Sequence, residues 1–367
     1  MAVLYRKYRP KVFGEIVGQG HVVKTVTNSI KTGKASHAYL FYGPRGCGKT
    51  TIARLIAKSL NCTDKKIKND FEPCNKCISC LEIGEGRSMD LIEIDAASNR
   101  GIDEIRALKE GINVVPIKSK SKVYIIDEVH QLTKEASNAL LKTLEEPPGY
   151  ANFILCTTEY GKIISTIISR CQKFEFKKLT LPEITEKLNF ICQKEGVKAS
   201  QEALEIIAKN AEGAIRDAES FLDKVMSLSK KEINKKEVEE VLGIVGVEAI
   251  TKLVDLIAQK KEKESLIYLN EVFQSGIDSE AFLGRLISYL RDLLLFKVSP
   301  EVYDKENIFT KEEKENFQKQ KDLFEEDRLV EILKIFLEAH NKIKWTYLPS
   351  LPIELAVIDS IKLKNHD

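Results

Sequence analysis

The sequence predicts an α/β domain built on a parallel sheet, followed by an all-α remainder. Three observations carry this. Apolar or β-branched runs alternate with helix-spaced apolar stripes through residues 1–178. A glycine-rich stretch, Gly43 to Gly48, joins the first such run to the helical stripe that follows it. Beyond Lys178 the strand patterning stops and only helical spacing continues. Strands that alternate with helices form parallel sheets covered on both faces.

Taken in order, strands are expected at Ala38–Tyr42, Asp90–Ile94, Lys122–Ile126, Asn152–Thr157 and Gln172–Phe176. Val22, Val23, Val26 and Ile30, closed by Gly33, mark a first helix, and Ile52, Leu55, Ile56 and Leu60 a second. Ile102, Ile105, Leu108 and Ile112 mark a third, and Leu140, Leu141 and Leu144, begun at Thr133, a fourth. Thr180-Leu-Pro-Glu183 is a capping box that opens the next helix. Ser200 and Asn234 are further N-caps, with Gly196 and Gly213 as stops, so three or four short helices fill 179–242. That segment is too small for a large core and is expected to lean on the first domain.

From 243 to 367 the stripes lengthen: Val247, Ile250, Val254, Ile257; Phe282, Leu286, Ile287, Leu290, Leu294; Leu329, Leu333, Phe336, Ala339; and Leu351, Leu355, Ile358, Ile361. A helical bundle with these stripes as core is the plain reading. The Lys/Glu-rich stretch 301–327 reads as a solvated connection or an exposed helix.

The 367 residues allow two or three domains. Lys plus Arg number 57 against 55 Asp plus Glu, which excludes a globally basic nucleic-acid coat and leaves any DNA contact to a local patch. No apolar run approaches the ~20 residues of a transmembrane helix. MAVLYRKYRP lacks the apolar core of a secretory signal, so a cytoplasmic location without a membrane partner is expected. Of eight cysteines, four fall between 62 and 80, which points to a metal site and not to a disulfide framework.

Gly43-Pro-Arg-Gly46-Cys47-Gly48-Lys49-Thr50 fits the phosphate-loop pattern G-x-x-x-x-G-K-[ST], with a strand before it and a helix after it. Glycines let backbone N–H groups turn toward phosphates, and the helix N-terminus adds partial positive charge. Lys49 is then the point charge for the β- and γ-phosphates, and Thr50 a Mg²⁺ ligand. Thr51 completes the nucleotide-binding set. Val123-Tyr-Ile-Ile-Asp127-Glu128 ends a strand on two acids, at the sheet edge where such folds bind ligands. Asp127 would hold Mg²⁺ through water, and Glu128 would act as general base toward an attacking water. Cys62, Cys74, Cys77 and Cys80 match a four-thiolate structural Zn²⁺ site, although the spacing also resembles part of an iron–sulfur run. Cys47 should stay free, and Cys156, Cys171 and Cys192 read as buried small residues.

These motifs, with LYRKYRP (4–10), FGEIVGQ (13–19), YIIDEVH (124–130), LLKTLEEPP (140–148), SRC (169–171) and GAIRDAES (213–220), resemble the AAA+ ATPases. Within them they resemble the gamma/tau clamp-loader family of bacterial DNA polymerase III. The resemblance covers essentially the whole chain and is sharpest over 1–225. It implies a small helical lid after the sheet domain and a C-terminal helical collar for oligomerisation. It favours zinc in the cysteine module. It makes Arg170 an arginine finger acting on ATP of the neighbouring subunit; the residues alone suggest only an exposed arginine paired with a carboxylate. Arg216 becomes the second sensor, where Asp217 or Glu219 offsetting its charge is the plainer reading. Thr158 is the better match to the first sensor, with Thr157 not excluded. Tyr5, Arg9 and Val17 match the segment that encloses adenine.

Ser98, Asn99, Arg100 and Arg106 would touch DNA phosphates, which carry no sequence information; a solvated loop is the alternative. The implied function is ATP-driven opening of the sliding clamp and its loading onto primer–template DNA. The implied partners are the delta and delta-prime subunits and further copies of the chain. The chain would belong to a DNA polymerase holoenzyme, a nucleotidyltransferase, without itself being the polymerase. The alternatives are a catalytically silent clamp-loader scaffold, another AAA+ DNA-remodelling ATPase, or a small-molecule kinase. The intact Lys49, Thr50, Asp127 and Glu128 argue against the scaffold.

Overall fold

The computed structural model describes residues 3–64, 71–98, 111–112, 114–228, 232–243, 245–299 and 309–363. The chain separates into two compact units, Met1–Leu179 with Ala211–Ser220, and Thr180–Asn210 with Phe221–Asp367. No described helix is long and apolar enough to cross a membrane.

The first unit is built on five strands: β1 (Ala38–Tyr42), β2 (Leu91–Asp95), β3 (Lys122–Asp127), β4 (Ala151–Thr157) and β5 (Gln172–Glu175). All neighbours are parallel, in the order β2-β3-β4-β1-β5. Side chains alternate between the two faces with the strand period. Leu40, Tyr124, Ile126, Phe153 and Leu155 form one core with Leu140 and Leu144 of the helix Lys134–Glu145. Tyr39, Phe41, Val123, Ile125, Ile154 and Cys156 form the other, with Val22 and Val26 of Gly20–Lys31 and Ile52, Leu55 and Ile56 of Lys49–Asn61. Thr133 caps its helix as expected, its side chain accepting the Ala136 N–H. The strand order has a functional consequence. β4 lies between β1 and β3, so its carboxyl end stands between the glycine-rich loop and Asp127-Glu128.

The second unit is helical: Leu181–Glu195, Gln201–Asn210, Lys235–Leu242, Val247–Ala258, Glu262–Gln274, Ser279–Val298, Lys311–Gln320, Glu326–Ile343 and Leu351–Lys362. The helix Ile215–Leu228 begins in the first unit and continues in the second. The capping boxes at Thr180 and Asn234 are both formed. Cys156, Cys171 and Cys192 are free and buried, and burial pushes the Cys171 thiol up to about 12 and Cys192 to about 11.

Four expectations are corrected. A short parallel pair, Lys198–Ala199 with Glu232–Ile233, lies beyond Lys178; two residues are too few to leave a periodic signal. The segment expected to lean on the first domain divides: Ala211–Ser220 groups with the sheet unit, and Thr180–Asn210 and the residues from Phe221 on group with the C-terminal helices. The stretch expected to be solvated carries buried Phe309, Glu313, Phe317, Gln320 and Phe324. One charge and one amide are satisfied inside, Glu313 pairing with Lys209 and accepting from Arg285 at 2.8 Å and Gln320 accepting from Tyr289 at 2.6 Å, while Glu315, Lys319, Glu325 and Glu326 keep the other face of the stretch in water as expected. Composition alone does not reveal such buried pairs. In the last helix, Leu351 and Leu355 are exposed while Ile353, Ala356, Val357 and Ile361 are buried. That helix is apolar on two faces, and spacing does not say which one packs.

Candidate active site

Between β1 and the helix Lys49–Asn61 the chain is a loop that only glycine permits at two points. Gly43 has φ 139°, and a Cβ there would lie 2.1 Å from the Phe176 carbonyl oxygen. Gly46 has φ 76°, with Ala214 Cβ 2.9 Å from the same hypothetical atom. Gly48, at φ 98°, precedes the helix, and no side chain caps it. The first-turn N–H groups and the helix dipole therefore face the loop, as an anion site requires. Lys49 is 6% exposed and donates from Nζ to the Gly43 and Pro44 carbonyls at 2.7 Å each. Phosphate oxygens are stronger acceptors than these carbonyls and would draw the ammonium onto themselves. Cys47 is free and buried, its Sγ 3.7 Å from the Gly213 carbonyl oxygen, and burial raises its thiol. Thr51 is half-buried in the helix's first turn.

Thr50 Oγ1 donates to Asp127 Oδ2 at 2.8 Å, across from the end of β3. A hydroxyl and a carboxylate in contact are the oxygen donors that Mg²⁺ takes beside a phosphate. Glu128 follows at φ 48°, in the left-handed region, which turns its side chain out of the strand direction. Its Oε2 accepts from the Thr158 N–H at 3.1 Å and from Thr158 Oγ1 at 2.9 Å. Thr157 instead is fully buried and accepts the Glu159 N–H at 3.0 Å. The structure thus brings Thr158, not Thr157, onto Glu128.

Arg216 lies over the Tyr5 ring, 4.9 Å from its centroid, and its hydrogen bond holds the Tyr5 phenol below the ordinary value. Arg9 is lowered, first by burial and then by the charge of Arg54, with smaller contributions from Arg216 and Arg6. Four guanidinium groups therefore crowd this side of the unit, and Glu93, held by Arg54 Nε at 2.6 Å, is the carboxylate that offsets them. Such a surplus of positive charge favours an anionic ligand. Val17 is half-buried just before Gln19, whose side chain donates to the Lys177 carbonyl at 2.7 Å and accepts the Lys177 N–H at 3.1 Å.

Arg170 does not join this group. It precedes β5, whose Gln172 pairs with Tyr39 and whose Glu175 pairs with Tyr42. It therefore sits at the amino edge of the sheet, about 10 Å or more along the strands from the edge carrying the phosphate loop. Its guanidinium pairs with Glu145 and donates to the Thr166 carbonyl at 2.7 Å, while Nε is buried without a partner. Ser98 is exposed, its Oγ donating to the Asp95 carbonyl at 3.1 Å; Asn99, Arg100 and Arg106 lie outside the described residues.

The sulfur atoms of Cys62, Cys74, Cys77 and Cys80 all lie within 4.8 Å of one another. Cys62 and Cys77 are 3.7 Å apart, and Cys74 and Cys80 are 3.9 Å apart. Four ligands at about 2.3 Å from a tetrahedral Zn²⁺ would be about 3.8 Å apart, so the donor set and its spacing fit that ion. Burial raises the Cys62 and Cys80 thiols and alone would raise Cys77, but hydrogen bonds from Thr63 and Cys80 bring Cys77 down to about 6, so it is a bound cation that would hold all four as thiolates. Glu72 and Asn75 of this module hold the segment Lys11–Gly14. Glu72 accepts the N–H groups of Phe13 at 2.6 Å and Gly14 at 2.9 Å, and Asn75 donates to the Lys11 carbonyl at 2.9 Å.

Sequence reasoning missed Gln19, Glu72 and His130. His130 is a buried imidazole, with Nδ1 2.9 Å from Thr157 Oγ1 and 3.3 Å from Glu128 Oε2. Its place in YIIDEVH was visible, but a buried histidine leaves no periodic trace.

Comparison with known proteins agrees along the length of the chain. A family profile described as DNA polymerase III, delta subunit matches residues 18–180. The DNA polymerase III clamp loader subunit ATPase lid domain matches 183–231, and DNA polymerase III subunits gamma and tau domain III matches 233–366. The chain is 42% identical to DNA polymerase III subunit tau of Bacillus subtilis over 356 residues, which is 97% of this chain and 62% of that protein. It is 37% identical to DNA polymerase III subunit gamma of Buchnera aphidicola from Acyrthosiphon pisum, covering 97% of each. Among solved structures, the Bacillus subtilis DNA clamp loader delta protein is similar at 18% identity and a TM-score of 0.43, over 93% of this chain and 99% of that one. Phosphate loop, paired acids and cysteine cluster thus stand within matches at about 40% identity, and the chain belongs to the gamma/tau family of DNA polymerase III subunits.

Proposed function

We propose that the chain is an ATP-hydrolysing subunit of the bacterial clamp loader, driving the opening of the sliding clamp and its transfer to primed DNA. The observation that carries this is the meeting of Thr50 and Asp127 at 2.8 Å, beside a Glu128 held by Thr158 at 2.9 Å, at the mouth of the Gly43–Thr50 cradle. Residues for phosphate, for metal and for water activation stand together at the carboxyl edge of the sheet.

In this reading the loop N–H groups and Lys49 bind the β- and γ-phosphates. Thr50 and Asp127 would hold Mg²⁺, which would neutralise phosphate charge. Glu128 orients a water and accepts its proton as the water oxygen bonds to the γ-phosphorus. The bond to the β,γ-bridging oxygen breaks, giving ADP and inorganic phosphate. Thr158 fixes Glu128, Arg216 reaches the γ-phosphate from the lid segment, and Tyr5, Arg9 and Val17 enclose the base. Arg170, on the opposite edge of the sheet, serves the nucleotide of the neighbouring subunit. The partners in this reading are the delta and delta-prime subunits, other copies of the chain, the clamp, and primer–template DNA contacted near Ser98, Asn99, Arg100 and Arg106. Three working parts follow: sheet domain 1–178, lid 179–242 and collar 243–367. Exposed Trp345, Tyr347, Leu348, Leu351 and Leu355 support the collar, since contiguous apolar surface is what subunit interfaces use.

Phosphate release by the reconstituted assembly, with and without clamp and primed DNA, tests the proposal. Stimulation by both together is expected; absence of any hydrolysis rules it out.

The cysteine module is read as a closed structural Zn²⁺ site, because all four positions are filled by protein. About one zinc per purified chain is expected by elemental analysis, and Cys77→Ser should lose it and lower Tm. Because Glu72 and Asn75 hold Lys11–Gly14, amide exchange should rise at 11–14 as well as around the cysteines. A chain that retains its zinc in Cys77→Ser, or keeps full protection without zinc, would contradict the assignment.

A further inference from the structure

We propose that His130 is a positioning residue for hydrolysis: it ties the loop after β3, which carries Glu128, to the end of β4, which carries Thr157 and Thr158. The inference rests on reading this site as an ATPase and adds a residue to it.

The geometry is a set of stitches between two short segments. From residues 128–131, Glu128 Oε2 takes the N–H and the hydroxyl of Thr158 at 3.1 and 2.9 Å. His130 Nδ1 lies 2.9 Å from Thr157 Oγ1 and 3.3 Å from that same Glu128 oxygen. His130 Nε2 lies 2.9 Å from Gln131 Nε2 and 3.2 Å from Glu159 Oε1. Three consecutive residues at the end of β4 are thus each linked to the three-residue reach from Glu128 to His130. The His130 side chain is 3% exposed, so the ring cannot turn into water when a contact is lost.

Glu128 sits at φ 48° on a loop, which by itself fixes its carboxylate poorly. Its position is instead set by Thr158, which follows the paired end of β4, and by the His130 ring beside the same oxygen. Thr157 Oγ1 is bound from both sides, by the Glu159 N–H at 3.0 Å and by the His130 ring. The Thr157 backbone stays paired with Tyr42 of β1 and accepts the Gly43 N–H at 3.2 Å. Removing the ring's Nδ1 edge therefore leaves the strand in place but frees the Thr157 hydroxyl and the Glu128 oxygen from the ring that joins them, and the carboxylate would shift. A misplacement of about 1 Å at a reacting group costs up to about 100-fold in rate without touching substrate affinity. A histidine that merely fills the core would show no such separation.

The test uses the complete assembly with clamp and primed DNA. An asparagine side chain sets its amide near the Nδ1 position, whereas a glutamine amide reaches the Nε2 position. His130→Gln is expected to lower kcat by about 10–100-fold, with KM for ATP and binding of a fluorescent ATP analogue unchanged. His130→Asn is expected to restore most of that loss. Thr157→Val removes the other half of the contact and should give the same fall in kcat, and the double variant should be no slower than either single one. Should His130→Gln fail to fold, Thr157→Val with a parent-like melting temperature decides alone.

Parent-like turnover in His130→Gln or in Thr157→Val overturns the proposal. So does an equal loss in His130→Asn and His130→Gln, or analogue binding that weakens in step with kcat. A parent assembly that binds ATP without hydrolysing it overturns the ATPase reading, and this inference with it; an active parent with indifferent variants overturns this inference alone.

Discussion

Lys49→Ala is expected to lower ATP turnover by about 10³-fold or more, the scale set by losing a preorganised charge from a phosphoryl-transfer site. The ammonium is buried, and it is held over the loop by the Gly43 and Pro44 carbonyls at 2.7 Å. It is thus placed before nucleotide arrives, and no other lysine lies in the loop Gly43–Gly48 to replace it. Alanine also leaves those two carbonyls without their donor, costing about 1–3 kcal/mol if they stay dry. Steady-state phosphate release gives the rate, a fluorescent ATP analogue gives binding, and a melting curve separates the stability cost from both. Turnover within tenfold of the parent would mean that phosphate is not bound in this loop.

Arg170→Ala has the second large effect, and of a different kind. ATP binding by the chain should be unchanged, because Arg170 stands at the amino edge of the sheet, before Gln172, away from the loop that follows Tyr42. Hydrolysis by the assembly should fall by about 10³–10⁵-fold at each site that depends on this residue, the usual worth of an arginine finger. Loss of the partly exposed pair with Glu145 should cost little stability, since exposed ion pairs contribute about 1 kcal/mol or less. The side chain is nonetheless held in place, by Glu145 and the Thr166 carbonyl, with a buried unpaired Nε. Reaching a neighbour's phosphate would therefore mean leaving Glu145. A rate that falls together with ATP affinity would instead place Arg170 in its own chain's site.

What the sequence made legible was whatever is local. The phosphate loop, Asp127-Glu128 and the cysteine module are each contiguous or nearly so; residue type and spacing suggested the phosphate cradle, the Asp-Glu pair drew its meaning from that cradle, and the resemblance favoured zinc over an iron–sulfur cluster. The strands β1, β3 and β4 are nearly continuous apolar runs because helices cover both faces. The strand order was not legible, since it depends on which crossover goes where. It is that order which sets β4 between β1 and β3 and so brings Thr158 to Glu128. Between adjacent Thr157 and Thr158 only the resemblance preferred Thr158; the residues alone do not decide, because side chains alternate along a strand and the pairing fixes which of the two faces the site.

Long-range polar contacts were equally hidden. Glu313, Gln320 and the His130 ring look like surface groups in sequence and are buried because partners far along the chain satisfy them. The exposed Leu351 and Leu355 err the other way: they are apolar and in register, yet the packed face of their helix is the one carrying Ile353 and Val357.

The most direct measurement is phosphate release from assemblies built with an equal mixture of Lys49→Ala and Arg170→Ala chains, compared with assemblies of either variant alone. If each ATP site is finished by the arginine of an adjoining chain, the mixture regains turnover that neither variant has, because an intact loop on one chain meets an intact Arg170 on the next. A mixture no faster than its two parents would mean that loop and arginine must lie on the same chain, and that the shared site does not exist.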